Sequence, residues 1–347
     1  MLVNNGGQFL PKNTNFAKGV ALMLILLHHL FYSGHYVFDL ANFQLWATLS
    51  VLAKICVAMF VILSGVGLAR SWAAKKNSLA VFYRRHISKI YMTYWLIWLL
   101  FVPAGAVFFD RSMADIYGTG AYLKPLAVNI LGFQLFSGVN LAWWFVGLIV
   151  ILYLLFPLLF WAVKRWNMAF VVFTFGFYFV PQFGYYLQFW VFPFVLGIWT
   201  AQNNILEFLK NHNFLEKGWT FIWGIVVLSA ARLYLVSGHH AGMDTFVDAL
   251  LAFAVIAAGY VYCKEDFVFY AFVTLVGVNS FNIFLFHGFL YEHYFSDFTY
   301  FLKYPPLVFV QFLLVCLGIS LAIEKLKGFF KRGINLGWRK FNVKEAV

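Results

Sequence analysis

Long apolar runs separated by short polar connections dominate the pattern of hydrophobic and polar positions along the chain. A helix that crosses a bilayer needs about 20 mostly apolar residues. The pattern therefore predicts an all-α fold, a polytopic transmembrane helical bundle of about ten spans, of which the fifth is short. The predicted helices cover residues 16–37, 43–69, 90–109, 141–163, 168–182, 185–202, 219–237, 245–262, 270–292 and 305–324.

The longest connection between predicted helices covers residues 110–139. Its part 121–138 is semi-apolar, which favours a re-entrant or interfacial helix. The first apolar run begins near residue 16 and lacks a small-residue cleavage site, so we expect a retained span rather than a cleaved signal peptide. Because no internal repeat or linker stands out, we expect a single membrane-embedded domain over residues 1–347, without an appended soluble domain.

Composition excludes the main alternatives to a membrane protein. Of the 347 residues, 63% are hydrophobic and only 11% are charged, whereas soluble globular proteins are about 25% charged. These values exclude a soluble globular enzyme, a disordered chain and a disulfide scaffold. The cysteines Cys56, Cys263 and Cys316 lie in or beside apolar runs without CxxC spacing, so they predict packing residues and no metal site.

The net charge of +12 resembles a nucleic-acid signal until the basic residues are placed on the predicted topology. If both termini are cytoplasmic, twenty of the 25 Lys and Arg residues fall in inside segments. Outside loops hold Arg111, Lys124 and Lys303, and predicted spans hold Lys54 and Arg232. Positive residues concentrate on the cytoplasmic side of membrane proteins. The charge therefore predicts a multi-pass protein of the inner (cytoplasmic) membrane that meets anionic membrane lipids, with no nucleic-acid partner.

Ionisable residues at membrane depth are costly and therefore mark candidate functional sites. The first predicted helix contains adjacent histidines, His28 and His29, and begins near Lys18. Eleven residues make about three helical turns, so Lys18 and His29 share one face about 16 Å apart. That geometry suits a ligand with an anionic head in the cytoplasm and a long thin arm, such as a coenzyme A thioester. Interfacial histidines without a chemical role are the alternative.

Further polar residues mark the second helix and the connection after it. Lys54 lies near the middle of the predicted span 43–69 and needs a cavity, a partner or a ligand. The pair Ser64-Gly65 lets a ligand or another backbone approach closely, and simple helix packing is the alternative. The densest basic stretch then follows, and arginine forks suit phosphate groups, although topology and lipid headgroups also explain such charges. Its basic residues are Arg84, Arg85 and Lys89.

The spacing of these residues resembles acyltransferase family 3, the bacterial integral-membrane O-acyltransferases. The ten residues between Lys18 and His29 resemble its Arg/Lys-x10-His signature. Residues 57–65 are similar to its V-x-x-F-F-x-x-S-G segment. Residues 82–94 are similar to its F-x-R-R-x-x-x-R-I-x-P-x-Y segment, with Met92 where proline is usual.

Three later segments extend the resemblance from about residue 10 to residue 325. Trp144, followed by Tyr153 and Pro157, is similar to the W-F-L…Y…P helix of the family. Residues 194–197 resemble its F-x-L-G helix, and residues 280–287 resemble its S-Y-x-I-Y-L-x-H segment. Many members also carry an acid after the tryptophan, which this sequence lacks, so no glutamate role is carried over to that position.

The resemblance implies an acyl-CoA donor, acetyl-CoA by default, and transfer to a hydroxyl of a cell-surface or lipid-linked glycan. It also implies that His29 is the catalytic histidine, with His287 near the reaction centre. Donor binding falls to Lys18, Arg84, Arg85 and Lys89. As a general base, His29 would take the proton from the acceptor hydroxyl, while Lys54 or His287 stabilises the oxyanion.

The remaining candidates carry weaker signals. Weak substrate-binding candidates are His28, Ser64, Trp144 and Glu292. Arg232 and Asp248, from consecutive helices, either pair with each other or line an acceptor site. Outward aromatics such as Tyr291 fit an interface belt or stack on sugar rings.

The sequence is compatible with three alternatives. A transporter or flippase of a glycan or lipid-linked intermediate is the alternative function, although transporters often show internal repeats. A lipid or small-molecule acceptor is an alternative within acyl transfer. A homodimer is also compatible with the sequence.

Overall fold

The computed structural model describes most of the chain. The described residues are 11–32, 43–74, 78–118, 120, 122–134, 138–180, 187–211, 218–237, 242–263, 265 and 268–344. Within these ranges nearly all residues are helical and no β-strand occurs. The predicted all-α class is therefore confirmed.

Sixteen α-helices make up the described fold. In chain order they are α1 (Pro11–Tyr32), α2 (Phe43–Ala53), α3 (Cys56–Ala74), α4 (Leu79–Phe108), α5 (Met113–Tyr117), α6 (Leu123–Ile130), α7 (Trp144–Trp166), α8 (Met168–Phe175), α9 (Leu187–Gln202), α10 (Ile205–Asn211), α11 (Gly218–Ser237), α12 (Met243–Tyr262), α13 (Tyr270–Val278), α14 (Ser280–Gly288), α15 (Ser296–Tyr300) and α16 (Pro305–Lys344). Short 3₁₀-helices occupy Leu141–Trp143 and Gly176–Phe179, and a π-helix occupies Phe289–Tyr294.

Six helical segments among the described residues are long and apolar enough to cross a membrane. They are Asn13–Tyr32, Gln44–Ala74, Leu79–Phe108, Leu141–Trp166, Met243–Tyr262 and Pro305–Phe329. A seventh candidate is the bent pair Tyr270–Val278 and Ser280–Tyr294. The chain is therefore a multi-pass helical membrane protein.

Three shorter apolar helices correspond to the other predicted spans. They are Met168–Phe179, Leu187–Gln202 and Ile222–Val236. A straight crossing of about 30 Å takes about 20 residues, so length alone does not make these helices spans. The ten-span count and the cytoplasmic termini remain predictions. Residues 33–37 and 181–186, which the sequence assigned in part to helices, lie outside the described residues.

Two predicted helices differ from those in the structure, one in where it begins and one in its continuity. The predicted helix 90–109 begins at Leu79 instead, because the Ser78 side chain caps the backbone N–H of Val81. The basic stretch that follows hides this start from a search for apolar runs. The predicted helix 43–69 is interrupted at residues 54–55, between α2 and α3, so Lys54 sits at a break rather than inside a regular helix.

A bend of 66° separates α13 from α14 and its π-helical extension. The bend centres on Asn279, whose side-chain amide donates to the carbonyl of Leu275 at 2.9 Å. Ser320 of α16 donates to the Asn279 side chain at 2.8 Å and accepts from Asn282 at 3.1 Å. These bonds satisfy polar groups that a break exposes in an apolar environment. The predicted continuous helix 270–292 is therefore two segments joined at a bend that side-chain hydrogen bonds stabilise.

Two glycines let α3 and α9 touch through their backbones. A Cβ on Gly65 would collide with the carbonyl oxygen of Phe194, and one on Gly197 would collide with the carbonyl oxygen of Ile62. Small residues allow this close approach between membrane helices. Gly65 therefore serves helix packing, one of the two interpretations of the Ser64-Gly65 pair.

A second backbone contact joins α1 to α13. A Cβ on Gly19 would overlap the carbonyl oxygen of Val273, and one on Gly277 would overlap the carbonyl oxygen of Asn15. This contact fixes the helix that carries the predicted donor and catalytic residues against the first half of the bent pair.

We expect Gly65→Ala to lower the melting temperature of the detergent-purified protein, because the new methyl group meets a backbone carbonyl that cannot rotate away. Overpacking of this kind costs about 1–3 kcal/mol. Gly67→Ala is the matched control, since a Cβ at Gly67 has nothing within 4 Å. Thermal unfolding followed by intrinsic fluorescence measures both variants. Equal melting temperatures for the two variants would contradict the backbone contact.

Candidate active site

Three side chains, from α1, α14 and the π-helix, meet at the end of α1 that lies away from Lys18. The ring centroids of His29 and His287 are 5.0 Å apart in an edge-on contact. The Tyr291 hydroxyl lies 3.2 Å from Nδ1 of His29, and its ring lies parallel to that of His287. The structure thus brings together the two histidines that the sequence singled out, and it adds a tyrosine.

Hydrogen bonds fix the tautomer of neutral His287. Its Nδ1 faces two backbone carbonyls, those of Phe284 at 2.8 Å and Ile283 at 3.1 Å. A carbonyl oxygen only accepts, so Nδ1 must carry the proton. The buried Nε2 has no hydrogen-bond partner among the described residues and therefore carries a lone pair. In this form His287 accepts a proton and donates none from Nε2.

Tyr291 contacts His29 and lies near a carboxylate. Its hydroxyl contacts His29, and the charge of Glu292 acts on that hydroxyl. Glu292 in turn lies 3.7 Å from Nε2 of His293. From the sequence, Tyr291 was expected in an aromatic belt or in a stack on sugar rings, and not beside His29. The missed signal is its spacing four residues after His287, which places both on one helical face.

His28 projects towards α2 rather than towards His287. Its Nδ1 lies 2.7 Å from the carbonyl oxygen of Ser50, so that nitrogen carries a proton and anchors the ring. The rings of His28 and His29 are still in edge contact at 5.3 Å. The two adjacent histidines therefore face different neighbours.

Four charged side chains form a network beside His28. Lys54 Nζ lies 3.3 Å from Asp244 Oδ2, and Arg232 Nη2 lies 3.7 Å from the same oxygen. Arg232 Nε also donates to Asp248 Oδ1. Arg232 and Asp248 are each only 1% exposed. We call these four residues the charge network; they link α11 and α12 to the break before α3.

The charge network shows how Arg232 and Asp248 are used and gives Lys54 a partner. Arg232 and Asp248 do pair, as one of the two interpretations of their positions expected. Lys54 has a partner in Asp244, which meets the need for one at this depth. The predicted oxyanion role of Lys54 remains a prediction.

Two of the predicted donor-binding residues, Lys18 and Lys89, lie near each other towards the opposite end of α1. The charges of Lys18 and Lys89 are close enough to repel each other. Lys89 also interacts with Glu324, which pairs with Lys327 at 2.8 Å. The side chains of Arg84 and Arg85 are exposed on the first turns of α4. Two cations from separate helices, α1 and α4, therefore converge at this end.

A chain of buried amides supports the helix that carries His287. Asn129 donates to Gln134, Gln134 donates to the carbonyl of Asn140, and Asn140 donates to the carbonyl of Leu285 at 3.1 Å. The indole of Trp143 donates to the same Leu285 carbonyl at 2.7 Å. This network ties the long connection, whose predicted segment 121–138 contains α6, to α14.

The other weak candidates have packing neighbours. Ser64 lies close enough to the hydroxyl of Tyr153 on α7 to interact with it. Trp144 packs against Trp190 with ring centroids 5.9 Å apart, whereas the preceding Trp143 is fully buried. Sequence reasoning chose Trp144 and missed Trp143, because two adjacent tryptophans in one apolar run look alike without their partners.

An apolar cavity of about 290 Å³ lies on the far side of Tyr291. Phe312 forms part of its wall and makes an edge-on contact with the Tyr291 ring. The lining residues are Leu290, Phe295, Phe298, Thr299, Gln311, Phe312, Val315 and Ile319. In the described part of the chain, no three His, Cys, Asp or Glu side chains come together as metal ligands do.

The family model described as an acyltransferase domain, acyltransferase 3, matches residues 13–325. The chain belongs to acyltransferase family 3. Comparisons with curated proteins and with solved structures gave no match. The matched range contains Lys18 and His29 of α1, the bent helix and the charge network, so this membrane acyltransferase carries all of them within its family domain.

Membership of acyltransferase family 3 gives its sequence motifs a structural meaning. Gly65 and Gly197, from two separate motifs, form the two sides of the α3–α9 backbone contact. Ser64 and Tyr153 bring two further motifs close together. Several motif residues of the acyltransferase therefore hold helices together, while His29 and His287 contact each other.

We expect Arg232→Met to destabilise the acyltransferase strongly, because it leaves the Asp248 carboxylate buried without its cation. Removing one partner of a buried pair costs about 3–5 kcal/mol. The double variant Arg232→Met/Asp248→Leu should regain part of this loss, since neither charge of the pair remains. Thermal unfolding of both single variants and the double variant forms a cycle. Additive effects would show that the pair does not couple the two helices.

Proposed function

We propose that the protein is an acyl-CoA-dependent O-acyltransferase of the inner membrane. It moves an acyl group, acetyl by default, from cytoplasmic acyl-CoA to a hydroxyl of a cell-surface or lipid-linked glycan. The observation that carries the proposal is the arrangement on α1. One end of this unbroken helix has Lys18 beside Lys89, and the other has His29 against His287.

The basic end of α1 suits the phosphates of coenzyme A. Lys18 and Lys89 repel each other, and an anion between them relieves that repulsion. Arg84 and Arg85 are exposed nearby in sequence and present planar forks that bind phosphate oxygens bidentately. Because α1 has no break between Lys18 and His29, the two residues lie about 16 Å apart along its axis. A donor whose phosphates bind at Lys18 must therefore extend its acyl end over about this distance to reach His29.

His29 acts as the general base in this proposal. The Tyr291 hydroxyl faces Nδ1 of His29. When its oxygen accepts from the Nδ1–H of His29, Nε2 of His29 keeps its lone pair. This orientation by a second group is the arrangement that activates bases in other acyl-transfer sites.

The chemical step transfers the acyl group from the sulfur of the thioester to the oxygen of the acceptor hydroxyl. Nε2 of His29 takes the proton of the acceptor hydroxyl as its oxygen attacks the thioester carbonyl. A carbon–oxygen bond forms, the carbon–sulfur bond breaks, and the proton passes to the leaving thiolate. Neutral His287 offers a lone pair at Nε2, so it is better suited to sharing this proton than to stabilising the oxyanion.

The cavity behind Tyr291 favours a lipid-linked saccharide among the candidate acceptors. The cavity behind Tyr291 is almost entirely apolar, and an apolar chain is the ligand that such a lining favours. A transporter or flippase remains the alternative function. The family domain and the contact between the two histidines both favour transfer over transport.

We expect His29→Ala to reduce acyl transfer by at least 100-fold, because general base catalysis contributes about 10²–10⁴ in rate. Binding of acetyl-CoA should stay within about twofold of wild type, since His29 lies at the other end of α1. Radiolabelled acetyl transfer in nanodiscs measures the rate. The control is His86→Ala, whose ring bonds within α4 to the carbonyl of Phe82. Full transfer by His29→Ala would reject the base assignment.

We expect Lys18→Ala to raise the KM for acetyl-CoA about tenfold with little change in kcat. Loss of one charge-assisted contact costs about 1.5–3 kcal/mol, and the base at His29 is untouched. Lys164→Ala is the control, because Lys164 is an exposed lysine on α7. Initial rates against donor concentration give both constants. Equal KM values for the two variants would remove Lys18 from the donor site.

A further inference from the structure

The charge network contains two buried polar atoms with no hydrogen-bond partner among the described residues. They are Nη1 of Arg232, a donor, and Oδ2 of Asp248, an acceptor. Both residues are 1% exposed, and leaving such groups unpaired costs about 1–3 kcal/mol each, more when charged. Hydroxyl groups suit both kinds of atom, since a hydroxyl donates one hydrogen bond and accepts others.

The charges of the network balance. Lys54 and Arg232 supply two cations, and Asp244 and Asp248 supply two anions. An anionic ligand would leave an excess negative charge in a low-dielectric site, which is unfavourable. The ligand that fits is therefore uncharged and rich in hydroxyl groups.

The charge network lies near His28, which contacts His29. Lys54 and Arg232 lie close enough to His28 for their charges to act on its ring, and the His28 ring contacts that of His29. Lys54 has a side chain that is 38% exposed, so the network reaches an accessible surface there. The donor-binding cation Lys18 lies at the other end of α1.

We propose that the charge network is the subsite for the acceptor and that it binds hydroxyl groups of an uncharged sugar. Asp248 Oδ2 accepts a hydrogen bond from one hydroxyl, and Arg232 Nη1 donates to a hydroxyl oxygen. Lys54 donates to a further hydroxyl at the accessible edge. This inference rests on the proposed acyl transfer, because it assigns the acceptor of that reaction a place separate from the donor.

The test measures sugar binding and acetyl transfer on the same full-length protein in nanodiscs. The probes are methyl glucoside, which is neutral, and methyl glucuronide, which is anionic. Saturation-transfer NMR reports binding of each sugar without turnover, and radiolabelled acetyl-CoA reports transfer. Acetyl-CoA affinity is measured separately.

We expect the wild-type protein to bind methyl glucoside more tightly than methyl glucuronide. Asp248→Asn should weaken glucoside binding and raise its KM at least tenfold, with acetyl-CoA affinity within twofold of wild type. The matched control is Glu207→Gln, which neutralises the carboxylate paired with Arg70 at 3.0 Å between α3 and α10. It should change neither sugar constant.

Asp248→Asn can also fail to fold, and Lys54→Met then replaces it, because Lys54 is partly exposed and lies outside the buried pair. Unchanged glucoside binding in the folded variant overturns the subsite. Absence of glucoside binding by the wild type also overturns it and leaves ordered water only as the partner of the two atoms. Glucoside binding without acetyl-CoA binding or transfer would instead reject the proposed function.

Discussion

The contact between α1 and α13 is the constraint on which the rest of the candidate site depends. At Gly19 and Gly277 the two backbones touch with no side chain between them. α1 carries both Lys18 and His29, and α13 leads through the bend into the segment with His287. Small errors at this crossing would move both ends of the site, because a packed helix shifts as a rigid body.

The bend at Asn279 directs the segment after α13 so that His287 contacts His29. A straight continuation of α13 would carry its later residues along α1, whereas the 66° bend redirects α14 and the π-helix. Ser320 of α16 holds the bend through Asn279, and the amide chain that ends at the Leu285 carbonyl holds the following turns. Polar groups buried in an apolar bundle thus act as positioning elements when each has a partner.

Much of the fold could be predicted from the sequence, because apolar runs report membrane helices directly. The pairing of Arg232 with Asp248 was foreseen as an alternative, since opposite charges near one face of consecutive helices attract. The bend at Asn279 and the early start of α4 were not foreseen. Both depend on single polar side chains whose partners lie far away in the chain or in a capping turn, and periodicity does not record partners. For the same reason, the sequence placed Tyr291 in a belt or against sugar rings rather than beside His29.

The paired glycines at the α3–α9 crossing have an evolutionary consequence. Each Cβ would meet a carbonyl oxygen of the opposite backbone rather than a side chain. A larger residue at Gly65 therefore cannot be compensated by a smaller one at Gly197, because that position already has no side chain to lose. Across related chains the two positions should stay invariant rather than covary, so methods that infer contacts from correlated substitutions will be blind to one of the tightest crossings in the bundle.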